Sequence, residues 1–239
     1  MPKNLKLILA LIYFLCLIAI LSVIFYYLDF RNLTNYSYIQ ENSDFLIEYK
    51  NNNLILSIIL FFLFVIIWIF FLGFASPIAL ISGFIFGPLI GTLVTILSLS
   101  FGSTLLYLIA NIYFSEIITK FLSSKISKFK DLFNKNEFLF FFIFRLSGGA
   151  GIPYPIQNIL PVIFDIKTKN YFYATLLGLL PSMYILNSLG SGINSIIKKG
   201  SNPSFMEVVS DSNIYLPIAG FFVILIISLF IRKKFFKNN

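Results

Sequence analysis

The chain has no histidine, and its 239 residues include one cysteine and one tryptophan. That cysteine, Cys16, sits inside an apolar run. A lone cysteine excludes an intrachain disulfide, and the two scarcities remove the usual ligands of zinc and haem. No metal or cofactor is expected. Charge is also sparse. Asp, Glu, Lys and Arg make up 12% of the chain, against about 25% in soluble domains. Apolar residues take their place: 58% of the sequence is hydrophobic, including 30 Phe, and mean hydropathy is +0.90. This is the composition of an integral membrane protein. The abundance of Asn, Ile, Phe and Lys fits an AT-rich, bacterial genome, so the cytoplasmic (inner) membrane is the expected location.

Five apolar runs are long enough to cross a bilayer as helices. Leu7–Leu28 spans 22 residues, about 33 Å at 1.5 Å per residue, against a hydrocarbon core of about 30 Å. It is too long for a signal-peptide core and no A-x-A site follows, so it is expected to be retained. Leu54–Phe74, Pro88–Phe114, Tyr171–Gly190 and Leu216–Ile231 are the others. Residues 29–53 are polar, a loop or a surface-lying helix. Residues 115–137 are rich in lysine, with apolar positions at helical spacing, and suit an amphipathic helix at the interface. The chain divides into an N-terminal span and polar loop (1–53), a core (54–195) and a C-terminal span with a basic tail (196–239).

Two apolar segments are too short or too broken to cross. SPIALISGFIFG (76–87) is interrupted by Pro77, Gly83 and Gly87. Phe138–Phe144 runs only seven residues before Arg145, then FRLSGGAGIPYPIQN (144–158) breaks the backbone, and PIQNILPVIF (155–164) returns. At an offset of 78 both segments read P-I-x-x-I-x-x-x-I-F, Pro77 falling on Pro155 and Phe86 on Phe164. Each precedes a long span. The pattern predicts two re-entrant helical hairpins in an inverted repeat, because one full crossing lies between them. Non-helical backbone at membrane depth persists only where protein buries it or it lines a wet cavity, and facing hairpins are how many transporters meet that demand.

The net charge of +8 lies in short loops and tails, which argues for orientation in the membrane and against nucleic-acid binding. Lys120, Lys125, Lys128, Lys130 and Lys135, then Lys167 and Lys169, then Arg232, Lys233, Lys234 and Lys237 all fall on one side of the predicted layout. That side, with the C-terminus, is expected to be cytoplasmic. The same count places Lys3 and Lys6 outside, against the rule.

Arg145 is the first candidate site residue. Eight helical residues from Phe138 descend about 12 Å, close to the midplane. A centred arginine costs roughly 2.5–3.5 kcal/mol on the lenient scale, so it calls for an anion, carbonyl oxygens or water. The competing reading is that it snorkels, or binds freed carbonyls of its own hairpin. Gly148, Gly149 and Gly151 permit φ > 0 and exposed N–H groups, an anion nest beside the cation or a plain turn. Pro153 and Pro155 shape the tip. Gln157 and Asn158 are placed to bind a head group or to satisfy the hairpin. Ser76, Pro77, Ser82 and Gly83 belong to the first hairpin and would line the opposite wall. Asn187 either joins them or bonds between helices. Asp165 is expected to pair with Lys167 or Lys169. No buried acid–base pair or metal set is visible, so enzymatic activity is not expected.

These residues also resemble a known family. GFIFGPLIGTLVTILSLSFGSTLLYLIAN (83–111) is similar to the first signature of the DedA-like, SNARE-associated or VTT-domain membrane proteins. The second signature is matched by Arg145, Pro153, Pro155 and Asn158, then Tyr171, Thr175, Gly178 and Pro181. The resemblance covers roughly 54–195. It implies paired re-entrant hairpins and movement of lipids between leaflets: scrambling in eukaryotic relatives, recycling of polyprenyl-phosphate carriers or other anionic lipids in bacterial ones. Prototypes carry an acid beside the first hairpin proline. Here Phe74, Ala75 and Ser76 precede Pro77, which puts proton coupling through that position in doubt. Many relatives carry Arg where Asn111 stands. The expected function is therefore flippase- or scramblase-like transport of an anionic phospholipid or polyprenyl phosphate. A small-solute or ion transporter and a structural envelope protein are the alternatives.

Overall fold

A computed structural model describes residues 36–198, except Leu72, together with scattered positions on either side, the longest stretch being 214–220. The expected first span, 7–28, lies outside the described residues but for four helical positions, and so does part of the fifth, 216–231, of which nine residues are described, all helical. Among the described residues the chain is entirely helical. The helices are α1 (Tyr36–Asn52), α2 (Leu54–Phe71), α3 (Ser76–Phe86), α4 (Pro88–Lys135), α5 (Glu137–Leu146), α6 (Tyr154–Ile159) and α7 (Thr168–Lys198). Short 3-10 turns, Gly148–Gly151 and Leu160–Phe164, flank α6.

Among the described residues, three helices are long and apolar enough to cross a membrane: Leu54–Phe71, Pro88–Tyr113 and Thr168–Ile197. All three coincide with expected spans. α2 turns Ile55, Ile59, Leu63 and Ile67 outward, as a lipid-facing helix must. The polar stretch before it contains a helix, α1. The basic segment after Phe114 is helical as expected, but no break separates it from the span. α4 runs 48 residues without interruption.

The internal repeat is written into the backbone. Gly73 and Gly151 both have positive φ (72° and 82°), and so do Gly87 and Asp165 (79° and 49°). Each pair is 78 positions apart. In each copy a leg helix (α2 or α5) ends in a turn with a left-handed residue. A short helical segment follows (α3, or α6 with its 3-10 extension). A second residue of positive φ then precedes the long helix, Gly87 (ψ 179°) directly before α4 and Asp165 (ψ 47°) three residues before α7. Prolines stand at the start of α3, α4 and α6, where a missing N–H costs nothing. α3 has 11 residues, about 16 Å, roughly half the hydrocarbon thickness.

The copies are interlocked. Each leg packs on its own long helix, whereas each short segment packs chiefly on the long helix of the other copy, and the two long helices pack on each other. The tips meet: a Cβ on Gly73 would lie 2.9 Å from Pro155 Cβ and Cγ. Two buried clusters result. Phe61, Val65, Ile69, Ile78 and Leu99 surround the first hairpin. Phe141, Phe144, Leu160, Phe164 and Tyr171 surround the second.

Gly83 was expected to interrupt its segment, yet it lies inside α3. It is small because the Asn187 backbone of α7 crosses directly over it, and any Cβ would overlap the Asn187 carbonyl. Gly190 is pressed in the same way against the Leu80 carbonyl. Gly83→Ala is therefore expected to force α3 from α7 and to cost about 3 kcal/mol or more, the larger loss of the two. The more exposed Gly87→Ala meets nothing but is strained at φ 79°, ψ 179°, and is expected to cost about 1–3 kcal/mol. Thermal unfolding of both variants in detergent checks the order.

Candidate functional site

The second hairpin is built around one cation. Asn136 caps α5 by accepting from the Leu139 N–H at 3.0 Å. Nine residues on, Arg145 is 0% exposed. Its Nη1 donates to Gln157 Oε1 (3.2 Å), and its Nη2 donates to Asn158 Oδ1 (2.8 Å) and to the Tyr171 hydroxyl (3.0 Å). The guanidinium carbon sits 5.0 Å from the ring centres of Phe141 and Tyr154, and 5.7 Å from that of Tyr171. Such ring faces attract a desolvated cation.

The partners are themselves held. Gln157 Nε2 donates to the carbonyls of Gly148 (3.2 Å) and Ile152 (2.6 Å). These bonds clamp the glycine turn onto the return leg. Gly149 has no Cβ because the Gln157 amide occupies that space. Tyr171 donates to the Asn158 carbonyl (3.2 Å) and stacks on Tyr107, ring centres 4.6 Å apart. Ser103 of α4 is hydrogen-bonded to the Tyr154 hydroxyl at 3.1 Å. Gly178 lets α7 approach Arg145 Cβ.

All hydrogen-bond acceptors on Arg145 are neutral oxygens. A guanidinium has five N–H groups, and these bonds use three. Nε is buried and has no partner. Asn158, which accepts from Nη2 through Oδ1, has an Nδ2 that is likewise buried and unpartnered. The site thus combines an uncompensated positive charge with unused donors inside the protein, an arrangement matched to an anion.

All the sequence-predicted residues but Ser76 and Pro77 fall into two groups. Arg145, Gly149, Gln157 and Asn158 meet at the second hairpin, with Gly148, Gly151 and Pro153 exposed at its turn and Pro155 against Gly73. Ser82, Gly83 and Asn187 meet elsewhere, where α3, α4 and α7 cross. Asn187 Nδ2 donates to the Met183 carbonyl (2.8 Å) and lies 3.5 Å from Thr95 Oγ1, and Ser82 donates to the Gly91 carbonyl (3.1 Å). Asn187 is nine residues, about 14 Å of helix, from Gly178. Ser76 and Pro77 are exposed at the start of α3. Asp165 accepts a hydrogen bond from Asn111 (3.2 Å) rather than from the lysines expected. No metal-binding cluster of His, Cys, Asp and Glu occurs among the described residues.

Sequence reasoning passed over Ser100, Ser103, Thr104 and Tyr107. They repeat at i, i+3, i+4 and i+7, so they share one face of α4. That polar stripe in an apolar span was the available signal.

Residues 74–192 match the family model of the VTT domain. The chain belongs to the VTT-domain, DedA/SNARE-associated family of membrane proteins. No solved structure matches it.

Tyr171 holds both the guanidinium and the return leg. Tyr171→Phe keeps the stack on Tyr107 and removes the hydroxyl. It is expected to lower stability by about 1.5–3 kcal/mol, the range for hydrogen bonds to charged groups. Unfolding of the purified variant in detergent measures it.

Proposed function

We propose that this protein moves anionic lipids, phospholipid or polyprenyl phosphate, between membrane leaflets, with Arg145 as counter-charge to the head group. Family membership supports a membrane transport role. The observation that carries the lipid reading is the guanidinium: fully buried, bonded only to neutral oxygens, and holding an unpartnered Nε. A site inside a half-membrane hairpin suits a molecule whose tail stays in lipid while its head group is carried across. In this reading the hairpins are re-entrant and opposed, meeting at Gly73 and Pro155 near the midplane. The protein resides in a bacterial cytoplasmic membrane with its C-terminus cytoplasmic, and it acts as a transporter rather than an enzyme.

A second reading treats Arg145 as a structural pin, and its bonds to Gln157, Asn158 and Tyr171 favour that view. The two are separated by combining transport with stability. In proteoliposomes containing labelled phosphatidylglycerol or polyprenyl phosphate, wild type is expected to speed translocation well above empty vesicles. Arg145→Ala should fall at least tenfold, and Arg145→Lys should lie between. Wild-type rates no faster than empty vesicles would sink the proposal. Solute uptake without lipid movement would favour the small-solute transporter. Unchanged translocation by a folded Arg145→Ala would leave only the pin.

A further inference from the structure

Three buried hydroxyls near the site have no hydrogen-bond partner: Ser100 and Thr104 on α4, and Thr175 on α7. Their stripes point to one place. Ser103, on the Ser100/Thr104 face, bonds Tyr154, and Tyr107, on the same face, stacks on Tyr171. Both tyrosines flank the guanidinium. On α7, Thr175 lies between Tyr171 and Gly178 at i+4 and i+7, and both of these touch Arg145. With Arg145 Nε and Asn158 Nδ2, five unpartnered buried polar atoms lie on the four helices that surround the guanidinium, the hydroxyls on the helix faces whose neighbours touch it. Two are obligate donors. Three are hydroxyls, able to donate or accept. A tetrahedral oxyanion with one ester arm directed to lipid suits such a set.

The charge around it is equally specific. The titratable side chains against the guanidinium are Tyr154 and Tyr171, neutral phenols near pH 7; Tyr107 stacks behind Tyr171, on the side where Asp165 and Glu137 lie close enough to act on its hydroxyl. Glu137 is eight residues before Arg145, about 12 Å along α5, and accepts from the Lys167 N–H and Asn170. Asp165 is engaged by Asn111. Lys167 and Lys169 are exposed at the start of α7. Arg145 is thus the single cation facing the five atoms among the described residues.

Resting on the lipid reading above, we infer that the site accepts a phosphate ester in its singly charged form. That form is a phosphodiester, or a phosphomonoester that keeps one proton. A dianion would bury a negative charge with no partner, which is strongly unfavourable. The retained proton on a monoester has hydroxyl oxygens to receive its hydrogen bond. Proton dependence then enters with the ligand, and the protein needs no titrating acid of its own.

The test is equilibrium binding to the purified full-length protein in detergent at pH 5 and pH 8. The probes are dodecyl phosphate, short-chain phosphatidylglycerol and inorganic phosphate. A phosphomonoester loses its second proton near pH 6, so the apparent affinity for dodecyl phosphate is expected to fall about a hundredfold between the two values. Phosphatidylglycerol, singly charged throughout, should stay within about twofold. Dodecyl phosphate binding as well at pH 8 as at pH 5 would overturn the inference. So would a parallel loss for both lipids, which would place the titration in the protein. Thr175→Val should weaken both lipid probes roughly tenfold with the pH slope intact. Unchanged affinity in that variant would remove the hydroxyls from the site. Inorganic phosphate binding as tightly as dodecyl phosphate would overturn the lipid reading while leaving the single-charge site standing.

Discussion

A guanidinium held away from water must find acceptors, and the second hairpin is organised by how Arg145 finds them. Its bonds reach 12, 13 and 26 residues along the chain, so one side chain ties α5, α6 and α7 together. The glycine turn exists in its particular form because Gln157 must reach both the cation and the Gly148 and Ile152 carbonyls. Tyr107 is stacked under Tyr171, and its hydroxyl donates to the Ile166 carbonyl, fixing the chain just before α7. Aromatic faces surround the charge without neutralising it. The hairpin therefore stores a cation, positioned and desolvated, whose natural complement is an anion.

The same backbone unit occurs twice and is used in two ways. In the first copy the position equivalent to Arg145 is Ile67, which is 54% exposed. That copy is held by close helix crossings, with Gly83 under Asn187 and Gly190 under Leu80. Its polar groups mostly serve the crossing itself. The second copy instead buries a charged and polar cluster, packed as closely, with Gly149 under Gln157 and Gly178 against Arg145. Because each short segment packs on the other copy's long helix, the two copies cannot be separated without breaking both sets of contacts. An apolar, tightly crossed half thus packs against a polar half that holds the buried cation.

Much of this was legible in the sequence. The three described spans followed from length and hydropathy. The offset of 78 followed from P-I-x-x-I-x-x-x-I-F, and the backbone extends it to Gly73/Gly151 and Gly87/Asp165. Arg145, Gln157 and Asn158 could be grouped because they are close in sequence. Gly83 misled, since glycine marks a break and a close crossing alike, and only the partner Asn187 backbone tells which. The hydroxyls were illegible for a related reason. Serine in an apolar helix commonly bonds the carbonyl one turn back, as Ser98 does to Val94 and Ser188 to Tyr184. Ser100 and Thr104 do not, and sequence does not distinguish the two cases. The Asn111–Asp165 bond joins residues 54 apart, beyond any local pattern.

The central claim is that Arg145 is a ligand-binding charge rather than a structural pin. The most direct measurement is an electron cryo-microscopy map of the protein in nanodiscs rich in phosphatidylglycerol. The account predicts a phosphate peak within hydrogen-bonding distance of Arg145 Nε, about 3 Å, with the acyl density leading out toward lipid. A map at side-chain resolution in which ordered lipid lies only along the outer faces of α2 and α4, with Nε enclosed by protein side chains, would contradict it.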